Sequence, residues 1–202
     1  MASRETTVSS ARARRPTRDR LIRAAVTLFQ SRGYHGTGIA DILARADAPR
    51  GSLYHHFPGG KEQIAAAAMD WLREEVARFL DQVAREGGGC RLMVEGIARY
   101  MAEGIRHGRK ARGGLMTVLV QDAVADSPVI AAAVRRHIEA VRERLVLAYE
   151  TERWVGDPSA FADGALAVTQ GAAVLARAEA VPERVVEIVE QWLDNVLRGR
   201  TR

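Results

Sequence analysis

Few side chains in this chain could do chemistry, and their spacing favours binding over catalysis. His55 and His56 stand side by side. Neighbours on a helix project about 100° apart, so one ion cannot take both without ligands from elsewhere. Gly60-Lys61 looks like the end of a nucleotide-binding P-loop. That pattern needs glycine at position 55 and Ser or Thr at 62, which here are His55 and Glu62. No Gly-x-Ser-x-Gly and no His-Glu-x-x-His occurs. Acid pairs such as Glu74-Glu75 read as solvated surface. Cys90 is the single cysteine, which excludes an internal disulfide and a cysteine-cluster zinc site. The sequence therefore predicts no catalytic residue, no metal site and no cofactor.

A different chemistry is concentrated in TGIADILARADAPRGSLYHHFPGGK, Thr37 to Lys61. Ile39, Ile42 and Leu43 recur at helical spacing and predict a helix from Ile39 to Arg45. Thr37 is placed to cap it through its hydroxyl, and Asp41 suits the positive helix end. Ala46-Asp47-Ala48 makes a tight corner. Pro49, with its fixed torsion and missing amide hydrogen, suits the start of a second helix, Arg50 to Phe57. Only Leu53 and Phe57 look like anchors of that helix. The remainder, Arg50, Gly51, Ser52, Tyr54, His55 and His56, forms one face with a cation, a permissive glycine, a hydroxyl and hydrogen-bonding aromatic tips. Such a face suits a helix lying in a DNA major groove, and Lys61 with the free amides of the next helix suits a phosphate. On composition alone an ordinary surface helix is equally compatible.

The pattern Phe29, Gly33-Tyr34, Thr37, Ile39-Ala40-Asp41-Ile42, Ala44, Gly51-Ser52-Leu53-Tyr54-His55-His56-Phe57 and Lys61 resembles the helix-turn-helix of TetR-type transcriptional regulators. The run Ala48 to Lys61 is similar to the LmrA-like branch of that family. The resemblance covers roughly residues 17 to 64. It implies an all-α chain with an N-terminal three-helix helix-turn-helix domain and a larger C-terminal helical ligand-binding and dimerisation domain. It departs from the usual pattern at Asp47, where glycine is common, and at Pro49, where serine is common. Asp tolerates a left-handed backbone. Pro49 offers neither hydroxyl nor amide hydrogen to a phosphate.

Charge agrees with this division. Residues 1–60 hold ten arginines against four acids, a balance of +6, while the whole chain carries +5, leaving −1 for residues 61–202. A basic segment attached to a neutral one is the electrostatic signature of polyanion binding. Residues 1–16 read as a flexible basic arm, whose Arg12, Arg14 and Arg15 could follow DNA phosphates. Thr17 to Arg32 predicts a supporting helix, capped by Thr17 and closed by Gly33, with Arg18 a possible phosphate contact. With 47% apolar residues among 202, the chain can bury a substantial core. No stretch looks apolar enough to span a bilayer and no signal peptide is recognisable, so the expected location is cytoplasmic, with no membrane partner.

The remaining chain, 61–202, predicts further helices: Lys61 to about Arg85, Leu92 to Ile105, Leu115 to Val124, Val129 to about Arg153, Phe161 to Ala178, and a last one opened by Pro182. A basic loop, His107 to Gly114, lies between the second and third of these. Trp71, Met93, Ile97, Tyr100, Met101, Met116, Val120, Gln121, Trp154, Phe161 and Gln170 are candidates to line an effector pocket. Most of them read as ordinary core, with about a third expected to face a cavity. Gln121 and Gln170 stand out, because an amide among apolar neighbours needs a partner. In the last helix Val185, Ile188, Val189, Trp192 and Val196 form one stripe that Val186 and Leu193 widen. The resemblance implies that the final two helices pair with their twins in a homodimer.

The reading that follows is a DNA-binding transcriptional regulator, a repressor released from a palindromic operator by a small hydrophobic or aromatic effector. Its partners are double-stranded DNA, a small molecule and a second copy of the chain. The alternative is an all-helical interaction protein whose basic head binds an acidic protein or a membrane surface.

Overall fold

A computed structural model describes residues 16–108 and 113–198. The basic arm with Arg12, Arg14 and Arg15, and the middle of the loop from His107 to Gly114, lie outside the described residues. Among the described residues all regular structure is helical. α1 spans Thr17–Arg32, α2 Ile39–Ala46, α3 Arg50–His56, α4 Gly60–Arg85, α5 Cys90–His107, α6 Leu115–Asp122, α7 Pro128–Thr151, α8 Pro158–Glu179 and α9 Arg184–Leu197.

α1 buries Leu21, Ile22, Ala24, Ala25, Leu28 and Phe29 along one side and closes at Gly33, whose φ of 81° is natural only for glycine. Thr17 does not cap it: Pro16 holds the cap position, with no side-chain hydrogen bond. Thr37 is also not a cap. It is 1% exposed and its hydroxyl donates to the Gly33 carbonyl at 2.8 Å. The α2 cap is Gly38, whose amide is accepted by the Asp41 carboxylate at 3.0 Å. The corner turns at Asp47 in the left-handed region, φ 48° and ψ 55°, in keeping with the tolerance expected of that residue. Arg20 fixes the corner from outside. Its guanidinium donates to Ala46 O at 3.0 Å and Asp47 O at 2.9 Å, satisfying carbonyls the end of α2 leaves open.

α4 packs along α7, α8 lies against α7 and α9, and α5 crosses α8 and α9, while α6 bridges α1 and α7. Ser127 and Asp157 cap α7 and α8 with their side chains, each followed by proline at the first helical position. α8 is long and apolar enough to cross a bilayer by composition, with mean hydropathy 1.2, contrary to the expectation that no stretch would be. It packs instead within the bundle and buries Phe161, Ala162, Ala165, Ala172 and Ala176 there. Its many alanines let α7 and α9 come close. In α9 the buried row is Val185, Val189, Leu193 and Leu197, while Ile188, Trp192 and Val196 are half-buried at its edge. Trp192 stacks on Phe161 at 5.5 Å between ring centroids, and Phe161 meets Tyr149 at 4.8 Å.

Two apolar clusters hold the fold. One joins Leu21, Phe29, Ile42, Leu53 and Phe57 of the first three helices to Ile64 and Met69 of α4, Leu115 and Leu119 of α6, and Ile130 and Val134 of α7. The other fills the far end of the bundle around Leu80, Met93, Leu145, Tyr149 and Val189. The first cluster therefore crosses position 61 without a break.

Candidate nucleic-acid interface and effector cavity

α3 is pinned at two points. Leu53 is fully buried and Phe57, just past the helix, is 1% exposed. The guanidinium of Arg18, an exposed residue, lies over the Phe57 ring at 5.4 Å. Because two anchors four residues apart occupy one side, the opposite side is left to solvent. Arg50, Gly51, Tyr54 and His55 are exposed, with Ser52 and His56 half-buried beside them. A Cβ on Gly51 would meet nothing within 4 Å, so its backbone is bare. The Ser52 hydroxyl donates to Pro49 O at 2.6 Å, leaving its lone pairs free to accept. His55 and His56 have ring centroids 5.0 Å apart and inclined by 67°. Among the described residues no group of three His, Cys, Asp or Glu is arranged to hold a metal ion.

Six of the eight residues expected to form this interface thus share one short helix. The other two do not join them. Thr37 is sealed beneath α1, as described above. Lys61 is half-buried and turned inward: its ammonium donates to Tyr34 O at 3.2 Å and sits 4.4 Å from the Tyr34 ring centroid. Arg20 is the structural residue that sequence spacing could not reveal, since its partners lie 26 and 27 positions away.

A cavity of about 820 Å³ lies in the bundle, walled by α4, α5, α6, α7 and α8, with Arg23 and Gln30 of α1 at its edge. That volume suits a drug-sized molecule. Trp71, Ile97, Tyr100, Met101, Met116 and Gln170 line it as expected. Tyr100 keeps 61% of its surface free, yet desolvation raises its phenol pKa, with Glu75 adding to the effect. Gln170 finds its partner in Thr117, whose hydroxyl donates to the amide oxygen at 3.1 Å.

The other five candidates lie elsewhere. Met93 and Phe161 are 2% and 3% exposed and belong to the far core. Trp154 packs past the end of α7 with its indole N–H on Glu152 at 3.1 Å. Val120 and Gln121 are on the outer surface of α6, both exposed. Several polar residues absent from the expected set also line the cavity, among them His137 of α7 and Arg177 of α8. His137 is 7% exposed and its Nδ1 has no hydrogen-bond partner. Burial, and secondarily Arg73, push its pKa down to about 4, so the ring is neutral near pH 7. Cys90 is inert by comparison: burial and Glu152 push its thiol pKa up, away from the reactive thiolate.

α6 ties the cavity to the head. Leu115, Met116 and Thr117 form part of the cavity wall. One helix length on, the Asp122 carboxylate accepts the Tyr34 amide at 2.8 Å, and the His35 ring donates from Nε2 to Asp122 O. Tyr34 and His35 sit between α1 and α2.

Comparison with known proteins agrees with this geometry. The profile described as "Bacterial regulatory proteins, tetR family" matches residues 21–68. "HTH-type transcriptional regulator LmrA" of Bacillus subtilis is 41% identical over 86 residues, 43% of this chain and 44% of LmrA. The matched segments span about half the length of the first curated relatives, 44% to 57%. "Transcriptional regulator AcuR" of Cereibacter sphaeroides is 30% identical over 171 residues, 81% of this chain and 77% of AcuR. The solved structure of a TetR transcriptional regulator from Legionella pneumophila superposes with a TM-score of 0.79 at 20% identity, covering 91% of this chain and 98% of that one. With the head, the bundle and a relative aligned over most of both chains in agreement, the chain belongs to the TetR family of bacterial regulatory proteins.

Proposed function

We propose that this chain is a DNA-binding transcriptional regulator, a cytoplasmic homodimeric repressor released from a pseudo-palindromic operator by a small hydrophobic or aromatic effector. The observation that carries the reading is α3: two buried anchors on one side, and Arg50, Gly51, Tyr54 and His55 bare on the other. Residues 17–60 serve as the DNA-binding unit and 61–202 as the effector-binding and dimerisation unit. The names of its relatives, transcriptional regulators and repressors, support the same role for this chain. It needs no catalytic residue.

Dimerisation through α8 and α9 is supported by what one copy leaves uncovered. Leu175 is 50% exposed, and Val168, Ile188 and Val196 are only half-buried. Two such copies would hold their α3 helices about one DNA turn, ~34–36 Å, apart. The effector acts only through a difference in affinity between the DNA-bound and free forms. α6 is the element placed to convert cavity filling into movement of the head, because it carries both the cavity wall and Asp122.

The test uses the whole chain in a selection from random duplex DNA, followed by mobility-shift titration over a range of salt. A preferred pseudo-palindrome bound with a steep salt dependence is expected. Tyr54→Ala should weaken binding to that site by about 5- to 100-fold and relax base preference, with the dimer intact. Absence of any preferred duplex, or full affinity in Tyr54→Ala, would remove the basis for the proposal.

A further inference from the structure

The charges that line the cavity do not balance. Of its acids, Glu75 is held by Arg78, and Glu103 by Arg106 and His107. Among the described residues that line it, the two arginines, Arg23 and Arg177, have no carboxylate partner. Arg23 lies over the Trp71 ring, 5.2 Å from the centroid, near the edge formed by α1. The Arg177 guanidinium has no hydrogen bond or ion pair with any described residue. It is half-buried, and burial is the one cause lowering its pKa. A guanidinium still holds its proton under such burial, so the cavity carries a fixed positive charge that is partly stripped of water.

Position sharpens the point. Leu166, Gln170, Ala173 and Arg177 follow one another along α8 at steps of four, three and four, and all four line the cavity. Arg177 stands seven residues beyond Gln170, about 10 Å along the helix axis. Between the Thr117–Gln170 pair and Arg177 the wall is Ala173 and Val174. Its neighbours across the space include Ile97, Met101 and Val141. The helix end favours a cation in the last turn, but that effect is small and does not require the side chain to reach a cavity. A forked donor at one end of an apolar chamber matches a carboxylate bidentately. His137, neutral and unpartnered, adds an uncharged polar contact on the α7 wall.

We propose that the cavity takes an amphipathic organic acid, an apolar or aromatic body carrying one carboxylate, with Arg177 as the residue that binds the carboxylate. This rests on reading the cavity as the effector site. The acid's body lies against the aliphatic wall, and its anion replaces the water that Arg177 has lost.

The test is calorimetric titration of the full chain with decanoate and with decanamide, which has a similar planar polar head without the charge. Decanoate should bind about 10- to 100-fold more tightly, as expected for hydrogen bonds to a charged group. Arg177→Gln should erase that preference while decanamide affinity stays within about threefold, and Arg177→Lys should keep part of it. Thermal melts establish that the variants fold; if Arg177→Gln does not, the wild-type preference and the Arg177→Lys pair decide. Equal affinity for acid and amide in the wild type, or a preference that survives Arg177→Gln, overturns the assignment while leaving the cavity as an effector site. If neither probe binds, the assignment falls together with the effector reading of the cavity.

Discussion

Adding one methyl group at Gly51 separates what the head needs in order to fold from what α3 needs in order to touch. In the free protein the new Cβ has nothing within 4 Å, and Gly51 is not among the glycines with positive φ. Gly51→Ala should therefore fold normally. It removes backbone freedom from the unfolded chain, which stabilises by up to about 1 kcal/mol. For a chain of this size that raises Tm by roughly 2–4 °C at most. Against DNA the expectation is opposite. If the bare α3 backbone lies on the duplex, the methyl must overpack that contact, at a cost of about 1–3 kcal/mol, or roughly 5- to 150-fold in Kd. Melting by calorimetry and anisotropy titration on the selected operator read the two effects independently. A variant with raised or unchanged Tm and wild-type affinity would show that this side of α3 does not approach DNA closely. A variant with lowered Tm would show that the free space at Gly51 is wrong.

The remaining expectations concern two residues whose surroundings the fold sets. Lys61→Ala removes a hydrogen bond to Tyr34 O and a cation over the Tyr34 ring, and should lower stability by roughly 1 kcal/mol in a urea titration. Unchanged stability with a salt slope smaller by about one would instead return Lys61 to a phosphate role. For His137 the folded pKa, about 4, lies below the ordinary 6.5, so the unfolded chain binds the proton first as pH falls. Its contribution is thus fully present above about pH 6.5 and is lost through the interval down to about 4, by up to roughly 3 kcal/mol. His137→Phe should lose less stability than the wild type between pH 7 and 4.5. Identical losses would contradict a neutral, buried ring.

The head was legible because its logic is local. Pro49 before α3, Asp47 in the corner, and Leu53 and Phe57 four apart each declare their role within a few residues. Two misses there were long-range, Arg20 reaching the corner from α1 and Lys61 claimed by Tyr34, while Thr37 bonds four residues back to Gly33 instead of capping α2. In the bundle the helices were legible but the cavity was not. Met93 and Ile97 lie four apart on α5, and one enters the core while the other faces open space. An apolar residue reads the same in either place, since both are shielded from bulk water. The two amides diverge for a similar reason: Gln170 bonds inward to Thr117, while Gln121 sits on an exposed face of α6. A signal did exist for the missed pair. His137 interrupts the row of Val134, Val141 and Leu145, and Arg177 continues the row of Leu166, Gln170 and Ala173. A polar side chain on an inward helical row marks a chamber more reliably than another methionine does.

The apolar cluster that crosses position 61 has a consequence for dissecting the molecule. Leu115, Leu119, Ile130 and Val134 belong to one apolar cluster with Leu21 and Phe29, so the core of the first three helices runs on into the rest. Cutting the gene after codon 60 would strip one wall from that mass and leave a greasy flank on the fragment. Such a piece should clump or melt early, whereas the intact polypeptide unfolds its first three helices together with the near end of the bundle in one step.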